Sequence, residues 1–513
     1  MKTIFSSAFP PLAFALLVGC VSSPATSSTK TAVPYFETVS CNFNGVAADW
    51  EVGNRVECGW LHVQESRGRP ESRVLKLWVA IAKATGEGRL PDPLLYVHGG
   101  PGIATVDARF PTINESKTWP VLRQHRDIIF FDQRGTGRSQ PEFCSELNDT
   151  LNALDVEAPP ADVALERSVQ AFSACRKRLL EQGVDFAAYN SQATADDAED
   201  LRQALGHGAW NVYGVSYGSW VALEILRRHE SSVRSVILDS PYPPNSAFWA
   251  EESIYPTGKA YEVVERVCQQ DHACAQRFPN IRSSLAAAVR RLDEAPIARP
   301  DGRITGETFA SALWTLLVRG ATVAYVPLVI DRAAAGDADG TRRFVKAFGG
   351  SGGFGAYSFG LAAAVNCHES LAGGSEPAIR EAMRRYPYLV GKDARADKSD
   401  LVCDAWQPHR AAPATFAPVR SDKPVLLFTG EFDPATPPED AFNAARLLSK
   451  STIVAVPGAS HAPLHADDCT RGIAGSFLDR PEAVPDLACL PKRPPFRFAT
   501  DGLEEFLKAK EGS

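Results

Sequence analysis

The chain has 513 residues, of which 44% are hydrophobic, 22% charged and 9% aromatic, a balance that describes an enzyme-sized globular protein and excludes collagen, coiled coil and a disordered chain. The 54 Lys and Arg against 61 Asp and Glu leave a formal charge of −7, and no basic stripe interleaves with aromatic side chains, so a nucleic-acid partner has no electrostatic footprint. The substrate expected on these grounds is small or peptidic.

In chain order, Lys2 is followed by an apolar stretch over 11–18 and then by Leu17-Val18-Gly19-Cys20, small residues set directly before a cysteine. That arrangement resembles a bacterial lipoprotein signal. It implies that 1–20 are a signal peptide, that Cys20 carries a lipid, and that the chain is exported and held at a membrane of the cell envelope. The alternative is an ordinary cleaved signal with an incidental cysteine, which leaves a periplasmic or secreted protein. The Ser-, Thr-, Ala- and Pro-rich residues that follow lack bulky apolar side chains, so 21–40 is expected to be a flexible tether. No later stretch offers about eighteen uninterrupted apolar residues; the nearest, 309–330, carries Thr315, Arg319 and Gly320 at its middle and reads as a buried helical hairpin.

Cys20 aside, ten cysteines remain, at 41, 58, 144, 175, 268, 274, 367, 403, 469 and 489, an even number with no C-x-x-C pair. That favours disulfides formed outside the cytoplasm over zinc or thioredoxin-like chemistry. Connectivity does not follow from order along the chain; pairing of neighbours (41–58, 144–175, 268–274, 367–403, 469–489) is the working expectation.

Residues 55–63 and 74–81 are β-branched and aromatic with partial alternation and predict an opening antiparallel pair. Short, almost wholly apolar runs follow at 94–97, 128–131, 211–213, 235–238, 425–428 and 453–456, the mark of strands buried on both faces. Helical patterns lie between several of them; in 194–205, Thr194 and Asp197 read as a capping box, Leu201 and Leu205 share a face and Gly206 ends the helix. Alternation of this kind predicts an α/β fold with a mostly parallel sheet. About 185 residues between the strands at 235–238 and 425–428 have helical periodicity, and predict a lid subdomain over the strand ends. Its Gly-rich loop at 349–360 has no following Lys-Ser/Thr and does not read as a phosphate cradle. The expected organisation is 41–240 for the first part of the core, 241–420 for the lid and 421–513 for the rest of the core.

Directly after the run at 211–213 stands Gly214-Val215-Ser216-Tyr217-Gly218, followed at once by a helical pattern. A serine on so sharp a strand-to-helix turn needs glycine two residues before and two after, because neighbouring side chains would clash with strand and helix. A serine hydroxyl is a poor nucleophile until a base removes its proton, so an acid and a histidine should follow. Asp433 lies just past the strand at 425–428 and His461 just past the strand at 453–456, both on the rim expected for Ser216. His465 is a competing base, Asp239 a competing acid more readily read as a cap on the turn into the lid, and Glu431 lies two residues early. Thr436 reads equally as a partner of the Asp433 carboxylate or as a turn hydroxyl. Acyl transfer also needs donors for the developing oxyanion. The loop His98-Gly99-Gly100-Pro101-Gly102 offers the Gly100 N–H, to stand with that of Tyr217, while His98 itself reads as a loop-holding residue.

The string HGGPG, then Asp132-Gln133-Arg134-Gly135-Thr136-Gly137-Arg138-Ser139, then GVSYGS, resembles the prolyl iminopeptidase and tripeptidyl aminopeptidase family of α/β-hydrolases. The tail, with GEFDPATP, GASH and Cys469 soon after the histidine, resembles the secreted tripeptidyl aminopeptidases. The resemblance spans 41–490. It implies an α/β-hydrolase fold with a large helical lid inserted between late strands, and Ser216, Asp433 and His461 as nucleophile, acid and proton carrier. The lid would select peptide substrates with a free N-terminus, and no metal or organic cofactor is implied. Tyr217 stands where prolyl iminopeptidases commonly carry Trp, and the lid is longer, which shifts the expected activity from release of single proline towards removal of short peptides, tripeptides above all. An exopeptidase must hold the substrate ammonium, for which a lid carboxylate is the natural partner. Glu251, Glu252, Glu369 and Asp404 qualify, with Glu369 preferred for its place beside Cys367. Release of single proline is one alternative, an esterase or amidase on the same scaffold another, since a triad does not specify its acyl group. A non-catalytic envelope protein built on a hydrolase shell is the third. Oligomeric state stays open.

Overall fold

In the computed structural model the described residues are 32–43, 53, 55–106, 113, 116–246, 249–300, 302–349, 357–369, 376–389, 399–407 and 409–511. The leader and Cys20 lie outside them, as does most of the Gly-rich loop, and the side chains of Glu251 and Glu252 are likewise outside what is described.

The tether expected over 21–40 ends early. Residues Tyr35–Val39 form strand β1, paired antiparallel with β2 (Val56–Gln64), because Tyr35 and Phe36 give this segment an apolar surface to lay down. Tyr35 stacks on His62 with ring centroids 4.1 Å apart, and Phe36 packs against the main core. β2 pairs in turn with β3 (Val74–Ala82), the expected opening hairpin. Then come β4 (Leu94–Val97), β5 (Ile128–Phe131), β6 (Trp210–Val215) and β7 (Val233–Asp239), a small separate hairpin of β8 (Ile297–Arg299) and β9 (Gly302–Ile304), and finally β10 (Ser421–Gly430) and β11 (Leu448–Val456). The nine-stranded sheet runs β1-β2-β3-β5-β4-β6-β7-β10-β11, and every pairing from β5 to β11 is parallel.

The apolar runs are continuous because both faces are covered. Leu95, Val212, Val236, Leu238 and Leu427 enter the core on one face, and Tyr96, Tyr213, Ile237, Leu426 and Phe428 the core on the other, the period of two that a strand imposes. Helix α1 (Ser191–Ala204) begins three residues before the expected start. Asn190 caps it by accepting from the Ala193 N–H at 2.9 Å. Asp197 is no cap: it is buried and receives two bonds from Arg134 at 2.7 and 2.6 Å and one from Arg67. Two guanidinium groups on one buried carboxylate are worth more than an N-terminal N–H, so the capping-box spacing was coincidental.

Between β7 and β10 the chain is mainly helical. Helices Trp249–Gln270, Ile281–Glu294, Gly306–Val318, Val326–Ala334 and Ala338–Phe348 close around a core of their own, including Val264, Leu285, Phe309, Leu316, Val329 and Phe344. The segment at 309–330 is thus a buried helical turn, and no helix among the described residues is long and apolar enough to cross a membrane. The last helix, Leu503–Glu511, packs into this same core through Leu503 and Leu507. Five disulfides join 41–58, 144–175, 268–274, 367–403 and 469–489, the neighbour pairing expected.

Candidate active site

Parallel register aligns the strand ends. Val97 lies opposite Gly214, Val215 opposite Asp239, Asp239 opposite Phe428, and Gly430 opposite Val456, so the loops after β4, β6, β7, β10 and β11 leave from one rim.

Ser216 sits between β6 and helix α2 (Tyr217–His229) with φ +55° and ψ −130°, a conformation that L residues rarely hold and that the surrounding packing must impose. A methyl group on Gly99 would lie 2.7 Å from Ser216 Cβ and 3.1 Å from its Oγ, so the HGGPG loop runs against Ser216 and can do so only without a side chain there. Gly100 has φ +128°. The DQRG string braces this loop: Gln133 Nε2 donates to the His98 carbonyl at 2.9 Å, and Asp132 Oδ1 accepts from Thr105 and Val106 N–H at 2.6 and 2.8 Å. His98 is buried in an edge-on contact with Tyr96.

Asp433 and His461 meet directly, with Nδ1 2.8 and 3.0 Å from the two carboxylate oxygens. The Ala435 and Thr436 N–H groups donate to Oδ1 at 2.9 and 3.0 Å, and the Thr436 and Ser240 hydroxyls to Oδ2 at 2.9 and 2.7 Å. Burial alone would push this carboxyl up, but His461 and the ring of donors hold it below the usual carboxylate range. Burial likewise works against a charged His461, and Asp433 outweighs it, leaving the imidazole more basic than usual. Thr436 is therefore a partner of the carboxylate.

The competing residues have other partners. His465 lies against Tyr213 and Thr118, and Glu431 accepts from the Gly458 N–H and from Arg266 of the lid. Asp239 is fully buried beside Tyr213 and the Leu464 N–H, with its carboxyl pushed up to about 7 mainly by burial. Sequence reasoning did not single out Ser240. Its hydroxyl accepts from the Ala462 N–H at 2.9 Å while donating to Asp433, and the preceding carbonyl, of Asp239, accepts from the Ser216 N–H at 2.9 Å. One dipeptide thus ties together the three loops that carry Ser216, Asp433 and His461. The only local signal was a serine directly after the strand ending LeuAsp.

Among the lid carboxylates Asp404 is exposed, whereas Glu369 is 1% exposed, just past helix α3 (Phe359–His368). Its oxygens accept from Ser191 N–H at 2.8 Å and Ser191 Oγ at 2.6 Å, and Ser191 Oγ lies 2.9 Å from the Tyr217 hydroxyl. Burial pushes the Glu369 carboxyl up to about 7, against the pull of the Ser191 bonds. It lies one hydroxyl away from Tyr217, the residue after Ser216.

Residues 92–267 match a family described as alpha/beta hydrolase fold, and 386–489 match one described as TAP-like protein. The chain is 24% identical to the tripeptidyl aminopeptidase of Streptomyces lividans over 506 residues, 87% of this chain and 90% of that protein. It is 27% identical to carboxylesterase B of Mycobacterium tuberculosis over 520 residues, 94% of this chain and 95% of that one. A proline iminopeptidase of Neisseria gonorrhoeae is 27% identical over 171 residues, 32% of this chain and 39% of its own. With a mostly parallel sheet, a serine elbow after β6 and an Asp–His pair on the same rim, the chain is a hydrolase of the α/β-hydrolase fold with a TAP-like region towards its C-terminus.

Proposed function

We propose that this hydrolase is a serine exopeptidase that removes short peptides, tripeptides above all, from free N-termini through an acyl-enzyme. The observation that carries the reading is Glu369: a buried carboxylate just past α3, one hydroxyl from Tyr217, is the group an exopeptidase needs and a simple esterase does not. The broad similarity to a tripeptidyl aminopeptidase supports the same substrate class.

In this reading Ser216 Oγ attacks the scissile carbonyl and His461 Nε2 takes its proton, Nδ1–H being committed to Asp433. The N–H groups of Gly100 and Tyr217 receive the oxyanion. His461 returns the proton to the leaving amine, and the acyl group left on Ser216 is the N-terminal fragment, whose ammonium is held by Glu369. Water activated by His461 then releases that fragment. The export signal and a lipid on Cys20 would place this activity at the bacterial cell envelope. An esterase or amidase is the second reading, favoured by the similarity to a carboxylesterase over almost the whole chain.

Mass spectrometry of products from peptides of graded length, unblocked or N-acetylated and some with proline near the N-terminus, tests the proposal. Tripeptides released only from free N-termini are expected. Single proline would move the enzyme to the iminopeptidases, and cleavage of short acyl esters with no dependence on a free amine would establish the esterase reading.

A further inference from the structure

Behind the catalytic histidine runs a second hydrogen-bonded chain that the proposed mechanism does not use. Asp239 Oδ2 lies 2.8 Å from the Tyr213 hydroxyl, that hydroxyl 3.0 Å from His465 Nε2, and His465 Nδ1 2.8 Å from the Thr118 hydroxyl. Asp239 Oδ1 accepts from the Leu464 N–H at 3.1 Å. Asp239, Tyr213 and Thr118 are buried and His465, beside Thr118, is half-buried, so the row meets solvent at its His465–Thr118 contact. The titratable groups facing Asp239 are Tyr213 from β6, Asp433 from the loop after β10, His461 from the loop after β11 and, through Tyr213, His465 from that same loop.

Every link joins groups that can both donate and accept, so the row has two polarities. With Asp239 ionised, Tyr213 donates to it, His465 Nε2–H donates to the Tyr213 oxygen, and Nδ1 accepts from the Thr118 hydroxyl. When a proton enters at Thr118, its own proton passes to Nδ1, the Nε2 proton to Tyr213 and the Tyr213 proton to Asp239, and every bond points the other way. One proton enters, one arrives at Asp239, and His465 changes tautomer without net charge. We propose that Asp239, Tyr213 and His465 form a proton relay that loads and unloads Asp239, and that the charge so placed beside His461 sets the basicity of the catalytic base. Asp239 is then a positioning residue acting through His461, and the inference rests on His461 being that base. Burial raises the Asp239 carboxyl to about 7, against the pull of Leu464 N–H and Tyr213, so both polarities are populated near neutral pH.

The sign follows. Ionised Asp239 favours the imidazolium form of His461, and neutral Asp239 does not. Protonation of one site therefore opposes protonation of the other, and the acid limb of the rate profile is shallower than a single ionisation. The test is the rate at which a fluorophosphonate labels Ser216 as a function of pH, in wild type, D239N and Y213F. The asparagine keeps both contacts, its oxygen accepting from Leu464 N–H and its amide donating to the Tyr213 oxygen, but carries no charge. Its acid limb should move to lower pH by at least about half a unit and steepen to a single ionisation. Y213F, which removes a donor to the ionised carboxylate, should move the limb the same way. Limbs that superimpose on wild type, whatever happens to the plateau, overturn the relay. Should D239N fail to fold, Y213F and H465Q carry the test with the same two outcomes. A readout that needs no catalysis separates this inference from the function on which it rests: a protonated-carboxyl C=O band should grow in infrared difference spectra of the wild type as pH falls through about 7 and lose the contribution of one carboxyl in D239N, those of Glu369 and Asp440 remaining. An enzyme inert to the fluorophosphonate would refute the triad while that band still judged the relay, and a band unchanged in D239N would overturn it.

Discussion

Replacing Ser240 by alanine takes one buried oxygen out of two contacts at once, the 2.7 Å bond to Asp433 Oδ2 and the 2.9 Å bond from Ala462 N–H. A hydrogen bond to a charged group is worth about 1.5–3 kcal/mol, and a buried N–H left without an acceptor costs about 1–3 kcal/mol. Asp433 keeps four other donors, the N–H groups of Ala435 and Thr436, the Thr436 hydroxyl and His461 Nδ1, so it stays ionised and in place. What loosens is the chain directly after His461. With about 1.5–3 kcal/mol felt in the transition state, kcat/KM falls about 10- to 150-fold at about 1.4 kcal/mol per decade. Ser240 also holds φ +52°, where a non-glycine residue costs about 1–2 kcal/mol, so S240G regains strain energy while losing the same hydroxyl. The assay is therefore paired: kcat/KM on one ester and one peptide, with thermal unfolding of each variant. S240A and S240G should lose activity equally while S240G melts higher. An S240A enzyme within about twofold of wild type, or activity restored by glycine, would show that the hydroxyl does not support the Asp433–His461 pair.

Ser216→Ala should lower turnover by about four orders of magnitude or more with an unchanged melting curve, and surviving activity in a preparation free of contaminating hydrolase would remove Ser216 as nucleophile. Glu369→Gln keeps the shape but not the charge, and should raise KM for free-amine peptides about 10- to 100-fold while leaving N-acetylated esters unchanged; equal effects on both would assign Glu369 to structure alone. The wild-type KM for free-amine peptides should be lowest between about pH 7 and about 8, because Glu369, pushed up to about 7 by burial, is neutral below that window and the substrate amine is neutral above it. Reduction of the disulfides opens loops that include 144–175 and 367–403, with separations of 31 and 36 residues, each worth about 4 kcal/mol in the loop-closure account. The unfolding midpoint should fall by several degrees under reducing conditions, and an unchanged midpoint would contradict that account.

Much of this architecture was legible because the chemistry is written in contiguous strings. A serine elbow needs its glycines two residues away on each side, and loops at strand ends are local, so Ser216, Asp433 and His461 could be placed by reading strand, turn and helix in order. The same local reading misassigned Asp197. Its spacing from Thr194 suited a cap, but its partners Arg67 and Arg134 arrive from 130 and 63 residues away, and no local pattern contains them. Ser240 was invisible for a topological reason: it matters because β7 lies between β6 and β10, and strand order is not a property of any one segment. Tyr35–Val39 was lost to composition, since a short strand at a sheet edge needs only a few apolar residues and its Ser/Thr-rich surroundings masked them.

Tyr217 is where the lid and the reacting centre share a residue. Its N–H is the proposed oxyanion donor, and its ring hydroxyl is tied through Ser191 to Glu369 at the end of α3, a helix whose Leu361, Ala364 and Val365 pack in the core of the sheet rather than in the core of the lid. The Cys367–Cys403 disulfide fixes that helix end, and burial keeps the Tyr217 hydroxyl neutral by raising it far above its ordinary value. Along the row from Glu369 to Tyr217 the carboxylate is met by the Ser191 N–H and hydroxyl, both neutral, so an ammonium brought by the substrate would be the group that lets Glu369 ionise. In the exopeptidase reading, recognition of the free N-terminus and alignment of the oxyanion donor then depend on one set of bonds. A blocked substrate forfeits both, which is why N-acetylation should lower kcat as well as raise KM for peptides.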